Sequence, residues 1–423
     1  GMTELRTEPL DGIPAVFDTR DGLHTAARTL AAGHGPIAID TERASAYRYD
    51  DRAFLLQLRR AGSGTVLIDP EGRRDDVRNL IGPVVNGADW VLHAAPSDLP
   101  SLAGVGLYPG RLFDTELAAR MAGFSHPNLG AMVEELLGVQ LEKGYGDADW
   151  STRPLPREWL AYAALDVELL IELAEILRDI LAERDKYDWA QQEFAAIARA
   201  HADSTGLQTP SWRDTKGIKT LRRAEQLAVA RALWTARDKY SRGCDRAPGK
   251  VLPNKVLIDI ARRLPATRRE LEGIKGFPRR RPGAAAAWFQ VIREARALPR
   301  DEWPRPQRAA ARVPSKTTWA KDHPDEWLAY QDVRADVEEL ARELDIAKDT
   351  VIRPAALRAA VWAVVGTPPH GAGSASPSIG GTVRQVDGIP DVLAAEGARP
   401  WQIELVTPVI ARRLFGDAGT STR

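Results

Sequence analysis

The stretch GPIAIDTE, residues 35–42, decides the fold that the sequence predicts. A short apolar run ends in two acidic residues with one residue between them, which is typical of a buried strand at the edge where it leaves the sheet. Three further strand candidates follow, namely FLLQLRR at 54–60, TVLIDP at 65–70 and WVLHAA at 90–95. Strands in hairpin order first, and strands alternating with helices later, indicate an α/β domain with a mixed sheet flanked by helices.

Helical periodicity surrounds and follows these strands. It predicts helices at 23–33, 77–86, 97–103, 114–122, 128–137 and, as one long element, 157–183. After about residue 216 only helices are predicted, at 219–241, 253–263, 267–274, 282–297, 324–345, 354–365 and 387–415. Asn254 lies at a predicted helix N-cap, and Pro265-Ala-Thr267 is predicted to open the next helix. PAALRAAVWAVV is similar to NKVLIDIARRL, which indicates a diverged internal repeat.

Charge is distributed unevenly along a chain whose formal net charge is zero. Residues 1–211 carry 20 Lys and Arg against 33 Asp and Glu, residues 212–312 carry 26 against 10, and residues 313–423 carry 12 against 15. A basic part beside an acidic part suits a protein that binds metal ions and phosphate groups, and solvated helix surfaces are the alternative. The single cysteine, Cys244, excludes an internal disulfide, and no apolar run is long enough to span a bilayer.

Three groups of acidic residues are candidates for chemistry. Asp40 and Glu42 alternate along a strand, so their carboxylates point to the same face and could bind one cation; a solvated strand end is the alternative. Asp98 follows the strand VLHAA in a first helical turn, where the helix dipole favours an acid without any function. Tyr162 and Asp166 are one helical turn apart, on one face of a helix that could simply be amphipathic.

In combination, and in this order, these groups resemble the signature of the DEDD exonuclease superfamily. The segments IAIDTE, VLHAAPSDL, FDTELAARM, DWSTRPLP and YAALDVELL resemble the ribonuclease D family over residues 12–205. The resemblance implies a ribonuclease H-like exonuclease domain in which Asp40, Glu42, Asp98 and Asp166 are metal ligands. Tyr162 would then orient, or help to deprotonate, the attacking water.

Four carboxylates can hold two divalent cations, an arrangement that suits in-line displacement at a phosphodiester. Carboxylate and water ligands favour Mg²⁺ or Mn²⁺, and we expect no organic cofactor. The expected product is a nucleoside 5′-monophosphate, released one at a time from the 3′ end. Asp114 is predicted to cap a helix rather than bind metal.

Four further residues are candidates for substrate contacts. They are His93, which could also simply end a strand, and three residues of the Gly/Asp-rich segment before the Tyr162 helix, namely Lys143, Trp150 and Arg153. These three could contact phosphates or stack on a terminal base, although burial is an equal alternative for Trp150. Gln57, within FLLQL, could face either side of its strand.

Residues 216–298 resemble an HRDC domain, a small helical module that ribonuclease D shares with RecQ-type helicases. The resemblance implies nucleic-acid binding without catalysis, and a backbone-binding surface could include Arg262, Arg263, Arg268, Arg269, Lys275, Arg279, Arg280 and Arg281. Residues 299–319 are predicted to be a Pro/Arg-rich linker, and residues 366–382 a loop. Residues 320–415 resemble a diverged second HRDC-like domain, whose acidic helix favours packing over RNA contact.

The function that follows is a cytoplasmic, monomeric, metal-dependent 3′→5′ exoribonuclease without membrane contact. Its expected substrates are structured RNA 3′ ends such as tRNA precursors, which the resemblance implies. A DNA 3′→5′ exonuclease would use the same carboxylates, because discrimination depends on contacts to the 2′-OH. A non-catalytic RNA-binding scaffold is the third hypothesis, which the loss of any one acid would favour.

Overall fold

The computed structural model describes residues 3–307, 311–368 and 377–416. The first part of the chain is a six-stranded mixed sheet flanked by helices, in the strand order β2-β5-β4-β3-β6-β7. Its strands are β2 (Val16–Phe17), β3 (His34–Arg43), β4 (Ala53–Ala61), β5 (Gly64–Ile68), β6 (Trp90–Leu92) and β7 (Leu112–Asp114). A separate parallel pair is formed by β1 (Glu4–Arg6) and β8 (Val139–Leu141).

The centre of the sheet is β3, antiparallel to β4 on one side and parallel to β6 on the other. Apolar residues of β3, β4 and β6 are buried against flanking helices on both faces, which explains why their runs are apolar almost throughout. The helices of this domain are α1 (Arg20–Ala31), α2 (Arg74–Asp76), α3 (Gly82–Val85), α4 (Ala95–Gly104), α5 (Thr115–Ala122), α6 (Leu129–Leu137), α7 (Arg157–Glu168), α8 (Leu170–Glu183) and α9 (Tyr187–His201). A π-helical turn, Val77–Ile81, joins α2 to α3.

The long helix predicted at 157–183 is two helices, which corrects that prediction. The backbone leaves helical geometry at Leu169, with φ −111° and ψ 7°. The break lets the two halves pack on different partners, α7 against β4 and β3, and α8 mainly against α5. Strand 90–95 was also predicted too long, because Ala94 adopts left-handed geometry (φ 61°) and α4 begins at Ala95.

The rest of the described chain is helical, as predicted. The first group comprises α10 (Ala224–Cys244), α11 (Pro248–Val251), α12 (Asn254–Arg263), α13 (Arg268–Glu272) and α14 (Ala284–Ala297). The second comprises α15 (Lys316–Asp322), α16 (Pro324–Leu344), α17 (Lys348–Val351), α18 (Pro354–Val365), α19 (Ile389–Ala395) and α20 (Pro400–Phe415). Short 3₁₀ turns lie at Trp212–Asp214, Ile218–Thr220, Arg300–Glu302 and Val386–Gly388.

Two groups of helices repeat with an offset of 100 residues: α10 and α16 both have 21 residues, and α11 and α17 both have four. Each long helix ends on a left-handed aspartate, Asp245 (φ 52°) or Asp345 (φ 53°). The helices that the sequence paired, α12 and α18, follow at the same offset. We call these groups the first and the second helical repeat.

Two details of the helical part differ from the sequence predictions. Asn254 is the first helical residue of α12 and not its N-cap, because its Oδ1 accepts a hydrogen bond from the buried Arg237 guanidinium at 2.7 Å. Thr267 does cap α13, as predicted. The predicted linker 299–319 extends too far, since α15 begins at Lys316 and Trp319 is fully buried. Residues 308–310 and 369–376 of the predicted linker and loop lie outside the described residues.

Both repeats are anchored on the exonuclease domain. Asp245 accepts hydrogen bonds from the Tyr49 backbone N–H at 3.2 Å and from Arg52 Nη2 at 2.6 Å. The second repeat shares an apolar core with the exonuclease domain, where Trp401 stacks on Trp189 at 5.2 Å and donates to Glu193 at 2.9 Å. Within the described ranges, none of the helices has the length and apolar character needed to cross a bilayer.

Candidate active site

Three carboxylates meet beside the central strand. Asp40 and Glu42 project from one face of β3, as their alternation predicts, and Asp166 reaches them from α7. One carboxylate oxygen from each lies within 4.8 Å of the others. Such a group of oxygen donors can hold a divalent cation, because carboxylates are the ligands that Mg²⁺ and Mn²⁺ prefer.

The electrostatics of this cluster also fit a cation. Burial raises the pKa of Asp40 and of Glu42 well above the usual range, and repulsion from the neighbouring carboxylates adds to the shift. Burial likewise raises the pKa of Asp166 to about 7. Ionising three neighbouring buried acids costs free energy. A bound divalent cation makes their ionisation favourable because it balances their charge.

Asp98 stands next to this cluster but outside it. Its carboxylate accepts a hydrogen bond from the Thr41 hydroxyl at 2.6 Å, on the residue between Asp40 and Glu42. Burial raises the pKa of Asp98 well above its usual value, and repulsion from the Asp40 carboxylate raises that pKa further. The four predicted carboxylates therefore lie in one place. Oxygens of Asp40, Glu42 and Asp166 lie within 4.8 Å of one another, and Asp98 is held beside them by its hydrogen bond to Thr41.

Asp114 positions the helix that carries Asp98. Its carboxylate caps α5 by accepting from the Glu116 and Leu117 backbone N–H groups, which confirms the predicted capping role. It also accepts from the Ala94 and Ala95 backbone N–H groups, at 3.0 and 2.8 Å. One buried carboxylate thus ties together the beginnings of α4 and α5.

Tyr162 lies one turn before Asp166 on α7, and its ring is held by aromatic neighbours. Tyr145 packs edge-on at 5.8 Å and Trp150 stacks at 6.3 Å. Burial raises the pKa of Tyr162, and the charges of Asp166, Glu42 and Asp40 raise it further. The phenol therefore keeps its proton near neutral pH, which favours an orienting role over a role as a base.

One of the four predicted substrate contacts is corrected by the structure. Trp150 is fully buried, with its indole N–H bonded to the Tyr145 carbonyl, so its ring cannot stack on a base. Arg153 forms an ion pair with Asp69 at 2.9 Å and donates to the Phe54 carbonyl at 2.8 Å, and it is exposed, so its substrate contact stays a prediction.

The other two substrate candidates stay predictions. His93 bonds through Nδ1 to the Thr115 hydroxyl at 2.8 Å, and its Nε2 has no hydrogen-bond partner among the described residues. Burial lowers the pKa of His93 to about 4, so its imidazole is neutral near pH 7. Lys143, in the loop before α7, is exposed, and its side chain lies over Gly130 of α6.

Gln57 is a residue whose role the sequence did not decide. It lies directly opposite Asp40 in the β3–β4 pair and is fully buried. Its Nε2 donates to Glu42 Oε1 at 3.1 Å and to the Ala163 carbonyl of α7 at 3.2 Å. A lone amide inside the apolar run FLLQL was the available signal, since a buried polar side chain needs partners.

Comparison with known proteins agrees with this geometry. Family models match residues 14–182 (described as 3′-5′ exonuclease), 226–281 (HRDC domain) and 312–414 (3′ to 5′ exonuclease C-terminal domain). Ribonuclease D of Acidiphilium cryptum (strain JF-5) is 30% identical over 309 residues, which cover 71% of this chain and 78% of that protein. The chain belongs to the ribonuclease D family.

Other relatives give the same result. Ribonuclease D of Pseudomonas paraeruginosa (strain DSM 24068 / PA7) is 32% identical over 63% of this chain and 71% of its own length. A crystal structure of a protein from Bifidobacterium adolescentis is 33% identical with a TM-score of 0.82, covering 98% of this chain and 100% of that one. Escherichia coli RNase D, 23% identical with a TM-score of 0.65 over 90% of this chain and 98% of that one, shares the fold.

As a member of the ribonuclease D family, the chain is a 3′→5′ exoribonuclease that acts on RNA. This result confirms the predicted enzyme class and sets aside the non-catalytic scaffold. It also confirms the predicted fold class, an α/β exonuclease domain followed by HRDC-type helices. Ribonuclease D enzymes of this exonuclease family depend on divalent metal ions, and the acidic cluster is in place for them.

Proposed function

We propose that this ribonuclease D hydrolyses RNA at the acidic cluster beside β3 and releases nucleoside 5′-monophosphates one at a time. The observation that carries the proposal is the meeting of Asp40, Glu42 and Asp166 oxygens within 4.8 Å. Residues 12–205 would supply catalysis and residues 216–298 would supply RNA binding. The linker and the second repeat would connect and support them.

The metal ligands in this proposal are Asp40, Glu42, Asp98 and Asp166. Their donor atoms are all carboxylate oxygens, which fit Mg²⁺ or Mn²⁺ better than zinc. When two such ions are bound, they supply a more acidic water for attack at phosphorus and charge stabilisation at the leaving 3′ oxygen. The protein's own part is to hold the four carboxylates in fixed positions, through Gln57 at Glu42 and Thr41 at Asp98.

Tyr162 would act as a hydrogen-bond donor near the attacking water. Its raised pKa keeps the phenol protonated, and its packing against Tyr145 and Trp150 fixes the direction of the hydroxyl. An oriented water loses less freedom on reaching the transition state, which is how a positioned group lowers a barrier.

The proposed substrates are structured RNA 3′ ends, including tRNA precursors, and the proposed state is a monomer in the cytoplasm. The strongly basic stretch 212–312 supports an RNA partner. The exposed free thiol of Cys244 supports a reducing compartment.

The test is a gel time course with a 3′-extended RNA labelled at its 5′ end, in Mg²⁺, Mn²⁺ or EDTA. Asp166→Asn and a DNA strand of the same sequence run in parallel. We expect a ladder that shortens by one nucleotide at a time and depends on both metal and Asp166. A DNA strand that is degraded faster than the RNA would favour the DNA-exonuclease hypothesis. A metal-dependent ladder that Asp166→Asn leaves unchanged would move the site elsewhere.

A further inference from the structure

The first helical repeat has a basic cleft away from the acidic cluster. The cleft has a volume of about 770 Å³, and five cations line it, namely Arg246, Lys250, Arg279, Arg280 and Arg281. No Asp or Glu lines it, and none of the five forms an ion pair among the residues that the structure describes. All five are exposed. Five exposed cations in one cleft attract anions, and they attract a polyanion most strongly.

Aromatic rings lie between these cations. Tyr240 and Trp288 are partly exposed walls of the cleft, and the buried Phe277 lies beneath them. The Arg281 guanidinium covers the Tyr240 ring at 4.0 Å. Aromatic faces between basic residues suit unstacked bases, which a duplex keeps inside its helix.

The cleft is joined to the active-site side through α11. Lys250 of this short helix lines the basic cleft, and Pro248 lines a larger cleft of about 1250 Å³ between the exonuclease domain and the first repeat. That larger cleft reaches Ser97, next to Asp98, and Arg43, next to Glu42. The Ala247 N–H donates to the Tyr47 carbonyl at 3.3 Å, which fixes α11 against the exonuclease domain.

We propose that the basic cleft is a single-strand RNA site, which holds an unpaired segment 5′ of the nucleotide under attack. Five cations would contact its phosphates, and Trp288 would stack on one of its bases. This proposal rests on the proposed function, because it places a second part of the same substrate. The remaining basic residues of the predicted surface (Arg262, Arg263, Arg268, Arg269 and Lys275) do not line the cleft, and Arg262 is paired with Asp259 at 3.0 Å.

The test measures binding of a fluorescent single-stranded RNA by anisotropy in EDTA, where hydrolysis does not interfere. For single strands the affinity falls with salt by a power of about 0.7 per phosphate contact, so five contacts give about a 130-fold loss between 50 and 200 mM salt. The triple variant Arg279→Ala/Arg280→Ala/Arg281→Ala keeps two contacts, and its loss over the same range should be about 7-fold.

The matched control is Arg222→Ala/Lys255→Ala/Arg293→Ala, which removes the same charge at exposed positions that do not line the cleft. We expect it to keep the wild-type salt dependence. Trp288→Leu should weaken the binding of single-stranded RNA and leave the binding of duplex RNA unchanged. Melting curves of all variants check that they fold. Equal effects of the two triple variants, or a cleft variant with wild-type salt dependence, would overturn the proposal. The catalytic proposal fails separately, if wild-type protein binds RNA through the cleft and yet shortens no RNA in Mg²⁺ or Mn²⁺.

Discussion

Gln57→Leu removes the amide that connects the two elements of the acidic cluster. The Nε2 group bonds Glu42 on β3 and the Ala163 carbonyl on α7, so it fixes the ligand strand relative to the helix that carries Asp166. Leucine has a similar volume and fits the apolar surroundings, and it offers no donor. The carboxylate of Glu42 would then lose one of the bonds that define its position.

Gln57→Leu should change the free energy of unfolding only slightly, because two effects oppose each other. Losing one bond to a carboxylate and one to a carbonyl costs about 2–4 kcal/mol. Among the residues that the structure describes, Gln57 Oε1 is buried without a hydrogen-bond partner, and its removal returns about 1–3 kcal/mol. The net destabilisation should therefore be about 1 kcal/mol. The effect on function should be larger, since loss of a group that orients a metal ligand typically costs about 10–100-fold in metal affinity or activity.

The assay separates these two effects. Single-turnover RNA cleavage is measured against Mn²⁺ concentration, Mn²⁺ binding is measured by calorimetry without RNA, and stability is measured by urea unfolding. We expect weaker Mn²⁺ binding and a lower rate at saturating metal. Gln140→Leu, in an exposed strand position on β8, is the control and should match the wild type. Wild-type Mn²⁺ affinity and rate in Gln57→Leu would refute the positioning role.

Three further outcomes follow from the same contacts. Asp40→Asn should abolish cleavage on gels and leave RNA binding in EDTA largely unchanged; cutting at the wild-type rate would disprove its role. Without metal, the free energy of unfolding from urea titrations should fall as pH rises from about 4 to 7, because the raised pKa values of the acidic cluster let the folded state bind more protons. Mn²⁺ should make the free energy of unfolding depend less on pH, and a pH dependence that Mn²⁺ leaves unchanged would contradict this prediction. Arg6→Ala should cost about 3–5 kcal/mol in urea unfolding, because Glu168 stays buried without its partner; Glu168→Gln in the same chain should recover part of the loss.

Local geometry predicted the pairs within the acidic cluster, and the resemblance to the ribonuclease D family implied that these pairs and Asp98 meet in one site. Alternation along β3 places Asp40 and Glu42 on one face, and a four-residue spacing places Tyr162 with Asp166. Gln57 could not be assigned in the same way, because its direction depends on the register between β3 and β4. That register pairs it with Asp40, and the sequence does not show it.

The wrong predictions share a physical cause, which is tertiary packing that overrides composition. Trp150 lies in a polar loop that looked accessible, yet its ring is buried beside Tyr162. Strands β1, β2 and β8 have two or three residues each, too few for a period of two to be visible. The basic cleft combines residues 246–250 with 277–281, which are distant in sequence.

The two helical repeats have similar helices and differ in where they contact the exonuclease domain. Both end their long helix on a left-handed aspartate, and both aspartates contact the exonuclease domain. Asp245 binds Arg52 and the Tyr49 backbone, close to the chain that follows Glu42. The backbone carbonyl of Asp345 accepts from Lys186 at 3.4 Å, and its carboxylate packs so closely on Gly123 that a Cβ there would overlap it.

Equivalent corners thus dock the repeats on different parts of one domain, and of the described residues in the two repeats, only those of the first line the cleft beside Ser97. Charge follows this placement, since residues 212–312 carry 26 Lys and Arg against 10 Asp and Glu, and residues 313–423 carry 12 against 15. The second repeat instead buries Trp401 against Trp189. Basic residues in the first repeat lie close enough to the acidic cluster to bind a substrate there, which fits our proposal. The second repeat is instead stabilised mainly by apolar packing.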